Sequence, residues 1–270
     1  MTVNNAWLLD VDGVITNHEK KKITETKILD EIIKRLDKVE PVALVTGRSN
    51  SWMIREVIKP LASKILSQEV LENFFAVGEK GAVWTKFESG NLKSSVDKSF
   101  ITAKNFEQEV KELIASKFSR WMFLDDTKET MISVEMKDGL RIPDFTPYQH
   151  RMDILLKEIL ENHHLEKLYK IVSSPTATDI EDIRVGKDYA AKKVLDWLKS
   201  KEIEPKKFTC FGDSIHDIQM AEYIYEHGLP TEFVFVGDRH LIDPEDYPFP
   251  IILTKEPYEK GTLEYLTIHT

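Results

Sequence analysis

The chain reads as an α/β protein: a parallel sheet with helices on both faces, interrupted by an inserted α+β unit. Three observations predict this. Short apolar runs end abruptly on polar residues, at Trp7-Leu8-Leu9 before Asp10, Val42-Ala43-Leu44-Val45 before Thr46, and Phe208-Thr209-Cys210-Phe211 before Gly212-Asp213. Each run leads into a segment with the apolar spacing of a helix, and strand, helix, strand, helix is the grammar of a parallel sheet. From about residue 85 to 184 that grammar breaks off and then resumes. The expected division is a Rossmann-like core from residues 1–84 and 185–270, with residues 85–184 as an inserted α+β unit.

Taken in order, Trp7 to Leu9 predicts a buried first strand, and Asn17 to Lys22 a short polar loop. Ile28, Leu29, Ile32, Ile33 and Leu36 predict an amphipathic helix over Thr24 to Val39, with Thr24 as its cap and Pro41 beyond its end. Pro41 to Val45 predicts the second strand, Ser51 to about Ile58 the second helix, and Phe74 to Val77 the third strand. In the insertion, Asn105–Phe118 and Tyr148–Asn162 have helical spacing, and Met131 to Met136 alternates like a strand. The core then resumes with a helix over Asp188–Leu198, a strand over Lys206–Gly212 and a helix over Ile215–Tyr225. Phe233 to Val236 predicts a further strand, Ile251–Leu253 an edge element and Thr262–Leu266 a closing helical turn.

Composition narrows the functional classes. The 270 residues are 41% hydrophobic and 31% charged, ordinary values for a globular protein. A net charge of −9 argues against a nucleic-acid grip, which needs phosphate-neutralising Lys and Arg. The Lys20–Lys22 and Lys206-Lys207 clusters sit among acids and read as solvated surface. No apolar stretch approaches the ~20 residues of a membrane helix, so no membrane partner is expected. The first strand starts almost at the N-terminus, leaving no room for a signal peptide. The single cysteine, Cys210, lies inside an apolar run and leans towards a reducing compartment. A soluble, cytoplasmic protein is expected.

The chemistry concentrates at Asp10-Val11-Asp12-Gly13. Strand side chains alternate, so both carboxylates share a face if the strand runs through them. Two carboxylates that close need a cation or a proton between them. Alone, the segment is as readily a polar turn. It is not an EF-hand loop, which needs glycine and glutamate where Ile15 and Lys21 stand, counting from Asp10. What raises it above a turn is company: Thr46 and Asp213 also close strands, and ligands of parallel α/β sheets bind beyond the carboxyl ends of the strands.

Four motifs in order resemble those of the haloacid dehalogenase superfamily of phosphohydrolases. They are Asp10 to Thr16 (Asp-x-Asp-Gly-Val-x-Thr), Thr46 in Leu-Val-Thr-Gly-Arg, Lys187 in Arg-Val-Gly-Lys-Asp-Tyr-Ala, and Gly212 to Asp217 (Gly-Asp-Ser-x-x-Asp). The long insertion resembles the type IIB cap of Cof-like and sugar phosphatases. Glu79-Lys80-Gly81-Ala82 is similar to the Glu-Asn-Gly-Ala of those relatives, with lysine for asparagine, and His216 likewise stands where asparagine is usual.

The resemblance implies a Mg²⁺-dependent phosphatase acting on a small phosphorylated metabolite, a sugar or polyol phosphate. It implies Asp10 as nucleophile, forming an aspartyl phosphate, and Asp12 as general acid and then base. Thr46, Gly47 and Lys187 would hold the phosphate. Mg²⁺ would be held by the Asp10 carboxylate, the Asp12 backbone carbonyl and Asp213, with Ser214 and Asp217 in support and Asp217 orienting Lys187 or a metal-bound water. Arg48 either faces the site or pairs with an acid. Arg120, Arg141 and Arg151 are candidates for a distal anion of the substrate, whereas His163-His164 reads as a solvated face. A phosphomutase of the phosphomannomutase type would need more phosphate-binding arginines in the insertion, and a catalytically silent phosphate-binding module would not need the whole acidic set.

Overall fold

The computed structural model describes residues 1–17, 19–65, 67–102 and 104–269. Two compact units emerge: residues 1–95 together with 186–270, and residues 96–185.

In the first unit, two short strands open the chain, β1 (Thr2–Val3) and β2 (Ala6–Leu9), followed by α1 (Lys27–Asp37) and β3 (Val42–Val45). Helix α2 (Asn50–Met53) runs through a π turn at Ile54–Ile58 into α3 (Lys59–Ala62). Strands β4 (Phe74–Gly78), β5 (Val83–Glu88) and β6 (Asn91–Val96) follow. The second unit contributes α4 (Lys104–Leu113), β7 (Met122–Leu124), β8 (Ile132–Met136), α5 (Ile142–Asn162), β9 (Tyr169–Ser173) and β10 (Ala177–Asp182). The first unit resumes with α6 (Lys187–Ser200), β11 (Glu204–Pro205), β12 (Phe208–Gly212), α7 (Ile218–Glu226), β13 (Thr231–Phe235), β14 (Ile251–Leu253) and α8 (Tyr258–Ile268).

The main sheet has the order β14-β13-β12-β2-β3-β4-β5-β6. Its members from β14 to β4 are parallel, and β5 turns back antiparallel on β4. Trp7 and Leu9 face one cluster, with Ile28, Leu29, Ile32 and Leu36 of α1 and Tyr265 and Leu266 of α8. Ala6 and Leu8 face the other, with Ala190, Ala191 and Val194 of α6 and Ile218, Ala221 and Ile224 of α7. Burial on both faces is why these strands read as unbroken apolar runs rather than alternating ones. Each buried Leu, Ile or Phe contributes about 1.5–3 kcal/mol.

Several expectations need correction. Helix α1 is N-capped at Thr26, not Thr24, whose hydroxyl instead donates to Glu259 Oε1 at 3.3 Å. Strand β2 ends at Leu9, so Asp10 and Asp12 stand in a loop rather than on one strand face. Helix α5 begins at Ile142 although Pro147 lies inside it, and α8 spans Tyr258–Ile268 rather than one turn. The segment after Trp84 stays in the first unit through residue 95, eleven residues beyond the expected boundary, because β5 and β6 extend the main sheet. Within the polar loop expected at Asn17 to Lys22, His18 lies outside the described residues. No described helix is long and apolar enough to cross a membrane.

The second unit is a four-stranded sheet of order β7-β8-β10-β9, with each neighbouring pair antiparallel. Its core joins Phe106 and Val110 of α4 to Phe145, Met152 and Leu156 of α5 over Ile132, Val134 and Ile180.

Candidate active site

Strand β2 is central, with β3 on one side and β12 on the other. The chain leaves β2 towards β3 and later returns to fill β12, so the order reverses at the β2–β12 seam. Ligand sites of open α/β sheets form beyond the carboxyl ends of strands at such a reversal. Leu9 pairs with Phe211, and Asp10 N donates to Phe211 O at 3.1 Å. That register brings Asp10 and Asp213 out at the same end of adjacent strands.

The loop after β2 is closed tightly on itself. Thr16 N and Ile15 N both donate to Val11 O, Gly13 N donates to Thr16 O, and Val11, Val14 and Ile15 are fully buried. Gly13 has φ +78°, and a Cβ there would strike the Asp213 carboxylate. Glycine is thus required both for the left-handed turn and for the close approach.

Lys187, the first residue of α6, reaches the centre. Its Nζ lies 2.6 Å from Asp10 Oδ1 and 2.7 Å from Asp217 Oδ1, and donates to Val45 O at 3.1 Å. Burial alone would lower the Lys187 pKa, but the Asp10 and Asp217 charges outweigh it and the ammonium is held firmly protonated. Asp217 is fixed in turn by a capping box, its Oδ2 accepting from Ser214 N at 3.0 Å and Ser214 Oγ at 2.7 Å. Burial raises the Asp10 carboxyl well above the usual range despite Lys187, and the neighbouring Asp217, Asp213 and Asp12 charges add to the rise. Asp213 is pushed up to about 7 by burial and then by Asp217.

Asp12 is oriented differently. Arg48 grips it with both arms, Nε to Oδ2 at 2.9 Å and Nη2 to Oδ1 at 3.0 Å, and Lys21 Nζ lies 3.9 Å away. Burial pulls the Asp12 pKa up, but the Arg48 bonds and charge hold it below the usual carboxylate range. Arg48 thus both lies at the site and pairs with an acid, and its guanidinium also sits 4.9 Å over the Trp52 ring. Thr46 is buried, with Oγ1 accepting from Arg48 N at 3.1 Å. Gly47 follows it at the strand end.

Oxygens of Asp10, Asp213 and Asp217 lie within 4.8 Å of one another, a set of hard donors that can hold a divalent cation. Asp217 already has one oxygen on Lys187 and the other on Ser214, which leaves Asp10 and Asp213 as the better-placed carboxylates. Mg²⁺ fits this donor set: all ligands are oxygens, and a cation there would offset the burial and mutual repulsion that raise the Asp10 and Asp213 pKa values.

Arg141 belongs to the second unit, exposed at the start of α5 and paired to Asp144 at 2.7 Å. Arg120 lines a recess of about 480 Å³ with Trp121, Leu140, Pro143, Asp144, Pro147 and Tyr148, and Arg151 is exposed on α5. His163 ends α5 and pairs with Glu109 at 2.7 Å. Cys210 is buried in the main sheet, and burial pushes its thiol pKa up. The Lys21 contact and the Val45 carbonyl under Lys187 had no signal in the sequence.

No protein-family model and no curated protein matches the sequence. Solved structures do match in fold. The chain is similar to the C-terminal domain of C. albicans trehalose-6-phosphate phosphatase, with a TM-score of 0.67 at 14% identity over 98% of this chain and 91% of that one. It is similar to a haloacid dehalogenase-like hydrolase from Bacteroides thetaiotaomicron, with a TM-score of 0.64 at 13% identity over 99% of this chain and 100% of that one. It is also similar to Plasmodium falciparum IMP-nucleotidase, with a TM-score of 0.56 at 14% identity over 97% and 70% of the two chains. The fold is that of the haloacid dehalogenase-like hydrolases.

Proposed function

We propose that the protein is a Mg²⁺-dependent phosphomonoester hydrolase that works through an aspartyl phosphate at Asp10. The observation that carries this reading is the Lys187 ammonium clasped between Asp10 and Asp217, with Asp213 beside them. A carboxylate can attack a phosphoryl dianion only where positive charge offsets their repulsion, and Lys187 stands at that point. Asp10 and Asp213, with the Asp12 backbone carbonyl, would hold Mg²⁺, which supplies charge neutralisation to the phosphoryl group when bound.

The Asp10 carboxylate forms a bond to phosphorus as the bond to the leaving oxygen breaks, and Asp12 gives that oxygen its proton. Asp12 then takes a proton from the water that attacks the aspartyl phosphate, releasing phosphate and restoring Asp10. The ionised, Arg48-bound Asp12 of the structure corresponds to the base of this second half. Thr46, the Gly47 amide and Lys187 hold the phosphoryl oxygens.

The substrate we infer is a small phosphorylated metabolite, with a sugar or polyol phosphate favoured. Two of the proteins sharing the fold are named for trehalose 6-phosphate and IMP, both small phosphomonoesters. The second unit we take to be a substrate-selecting type IIB cap, with Arg48 and Arg141 contributing to selectivity. A lone buried cysteine suits the cytoplasm.

The test is phosphate release from a panel of sugar, polyol and nucleoside monophosphates, with Mg²⁺ or with EDTA, for wild type and Asp10→Asn. Metal-dependent release abolished by Asp10→Asn supports the reading. Release that survives the substitution overturns it.

A further inference from the structure

The turn after β4 carries the main chain through three successive left-handed residues, Glu79 (φ 44°), Lys80 (φ 54°) and Gly81 (φ 112°). Left-handed backbone costs a non-glycine residue roughly 1 kcal/mol. It persists where surrounding structure enforces it. Here it is enforced. Lys80 N donates to Thr46 O at 3.0 Å, Glu79 N to Arg48 O at 3.1 Å, and Gly186 N to Lys80 O at 3.2 Å. Glu79 is fully buried, and a Cβ on Gly81 would strike the Tyr189 ring. The turn therefore ties the Thr46–Arg48 loop to the start of the helix that presents Lys187.

A turn with this backbone suits asparagine or glycine, not lysine. Lysine at this turn adds a long cationic side chain. That side chain extends over Gly47: its Cε lies 3.6 Å from where a Gly47 Cβ would stand. The ammonium is one bond further on, beside Gly47. Lys80 is partly buried, so its charge is less screened than that of a surface lysine.

We propose that Lys80 is a substrate-binding residue, placing an additional cation at the phosphoryl group held by Thr46 and Gly47; this rests on the phosphate-binding reading above. The charge balance calls for it. Asp10, Asp12, Asp213 and Asp217 crowd the strand ends, where Lys187, Arg48 and Lys21 pair with three of them. A dianionic ester approaching that site gains from a cation on its own side of Gly47. The role is in binding: Lys80 has no place in the proton or phosphoryl transfers.

The experiment compares wild type with Lys80→Asn, which suits the left-handed turn and removes the charge, Lys80→Gln as a second neutral variant, and Lys80→Arg as the conservative one. Inorganic phosphate binding is measured by calorimetry with Mg²⁺ present, and KM and kcat are measured with para-nitrophenyl phosphate. A charge-assisted hydrogen bond of this kind corresponds to roughly tenfold in affinity. Both neutral variants should bind phosphate about tenfold more weakly and raise KM similarly, with kcat within about threefold, and Lys80→Arg should recover most of the loss. Neutral variants within twofold of wild type in phosphate affinity overturn the proposal, as does a wild type that binds no phosphate. If wild type binds phosphate but releases none from any ester, the hydrolase reading fails while the affinity comparison still decides the role of Lys80.

Discussion

At the amino end of the main sheet, Glu232 is buried among three donors, whereas at the carboxyl end four aspartates crowd around Lys187, Arg48 and Lys21. Glu232 Oε1 accepts from Thr209 Oγ1 and Tyr265 OH, both at 2.8 Å, and pairs with Lys207 at 2.6 Å. Burial would raise its pKa, but the Lys207, Tyr265 and Thr209 bonds outweigh burial and lower it. At the other end burial wins, and Asp10 and Asp213 are both raised. A buried carboxylate that serves stability is paired to completion. One that serves a ligand is left with a deficit that the ligand fills.

The comparison breaks most visibly at Asp10. Asp10→Asn should reduce phosphate release by at least about a thousandfold, since it removes the proposed nucleophile. In EDTA its melting temperature should equal or exceed that of wild type, because a repelled carboxylate is gone. A melting temperature lowered by several degrees would mean Asp10 is held as Glu232 is.

Lys187→Met should cost both properties. Activity should fall by at least about a hundredfold, and stability by roughly 3 kcal/mol or more, because Asp10 and Asp217 are left buried without their partner. Denaturant unfolding with and without Mg²⁺ checks this, and Mg²⁺ should recover part of the stability. Glu232→Gln is the counterpart at the other end: a loss of about 1–3 kcal/mol with turnover within twofold of wild type. A large activity loss there would erase the distinction between the two ends.

The pH dependence sharpens it further. Asp213 has a folded pKa of about 7, above its usual ~3.9 when unfolded. The folded state therefore holds the proton more tightly between those values. The stability so gained is complete below about pH 4 and is lost as pH rises through 7. In EDTA, Asp213→Asn should melt several degrees above wild type at pH 8, and the gap should narrow towards pH 5. The smallest effect expected is at Arg48, which holds Asp12 below the usual range. Arg48→Met should move the limb of the pH–rate profile assigned to Asp12 to higher pH. An unmoved limb would disconnect Arg48 from Asp12.

Elements with a local cause were legible. The strands over Val42–Val45 and Phe74–Gly78 declared themselves because burial on both faces demands unbroken apolar runs. Helix α5 was harder. Pro147 reads as a breaker, yet the helix begins at Ile142 and accommodates it near its start, where Thr146 Oγ1 adds a bond to Ile142 O at 2.8 Å. The expected boundary at residue 84 cuts through β5, because the apolar pattern of the central strands changes from Thr85 onwards. An edge with one face less covered permits that change.

The sequence alone determined which groups stand at the strand ends: Asp10, Asp12, Thr46 and Asp213 follow from where apolar runs stop, whereas Lys187 and Asp217 stood out only through the motif resemblance. Tertiary structure alone decided how those groups share their charge. Lys187 meets Asp10 across 177 positions, and Arg48 meets Asp12 across 36. Lys80 comes to lie over Gly47 through a left-handed turn. Apolar periodicity reports burial, which each residue carries in its own side chain. Ion pairing reports distance, which exists only once the β2–β12 seam has closed.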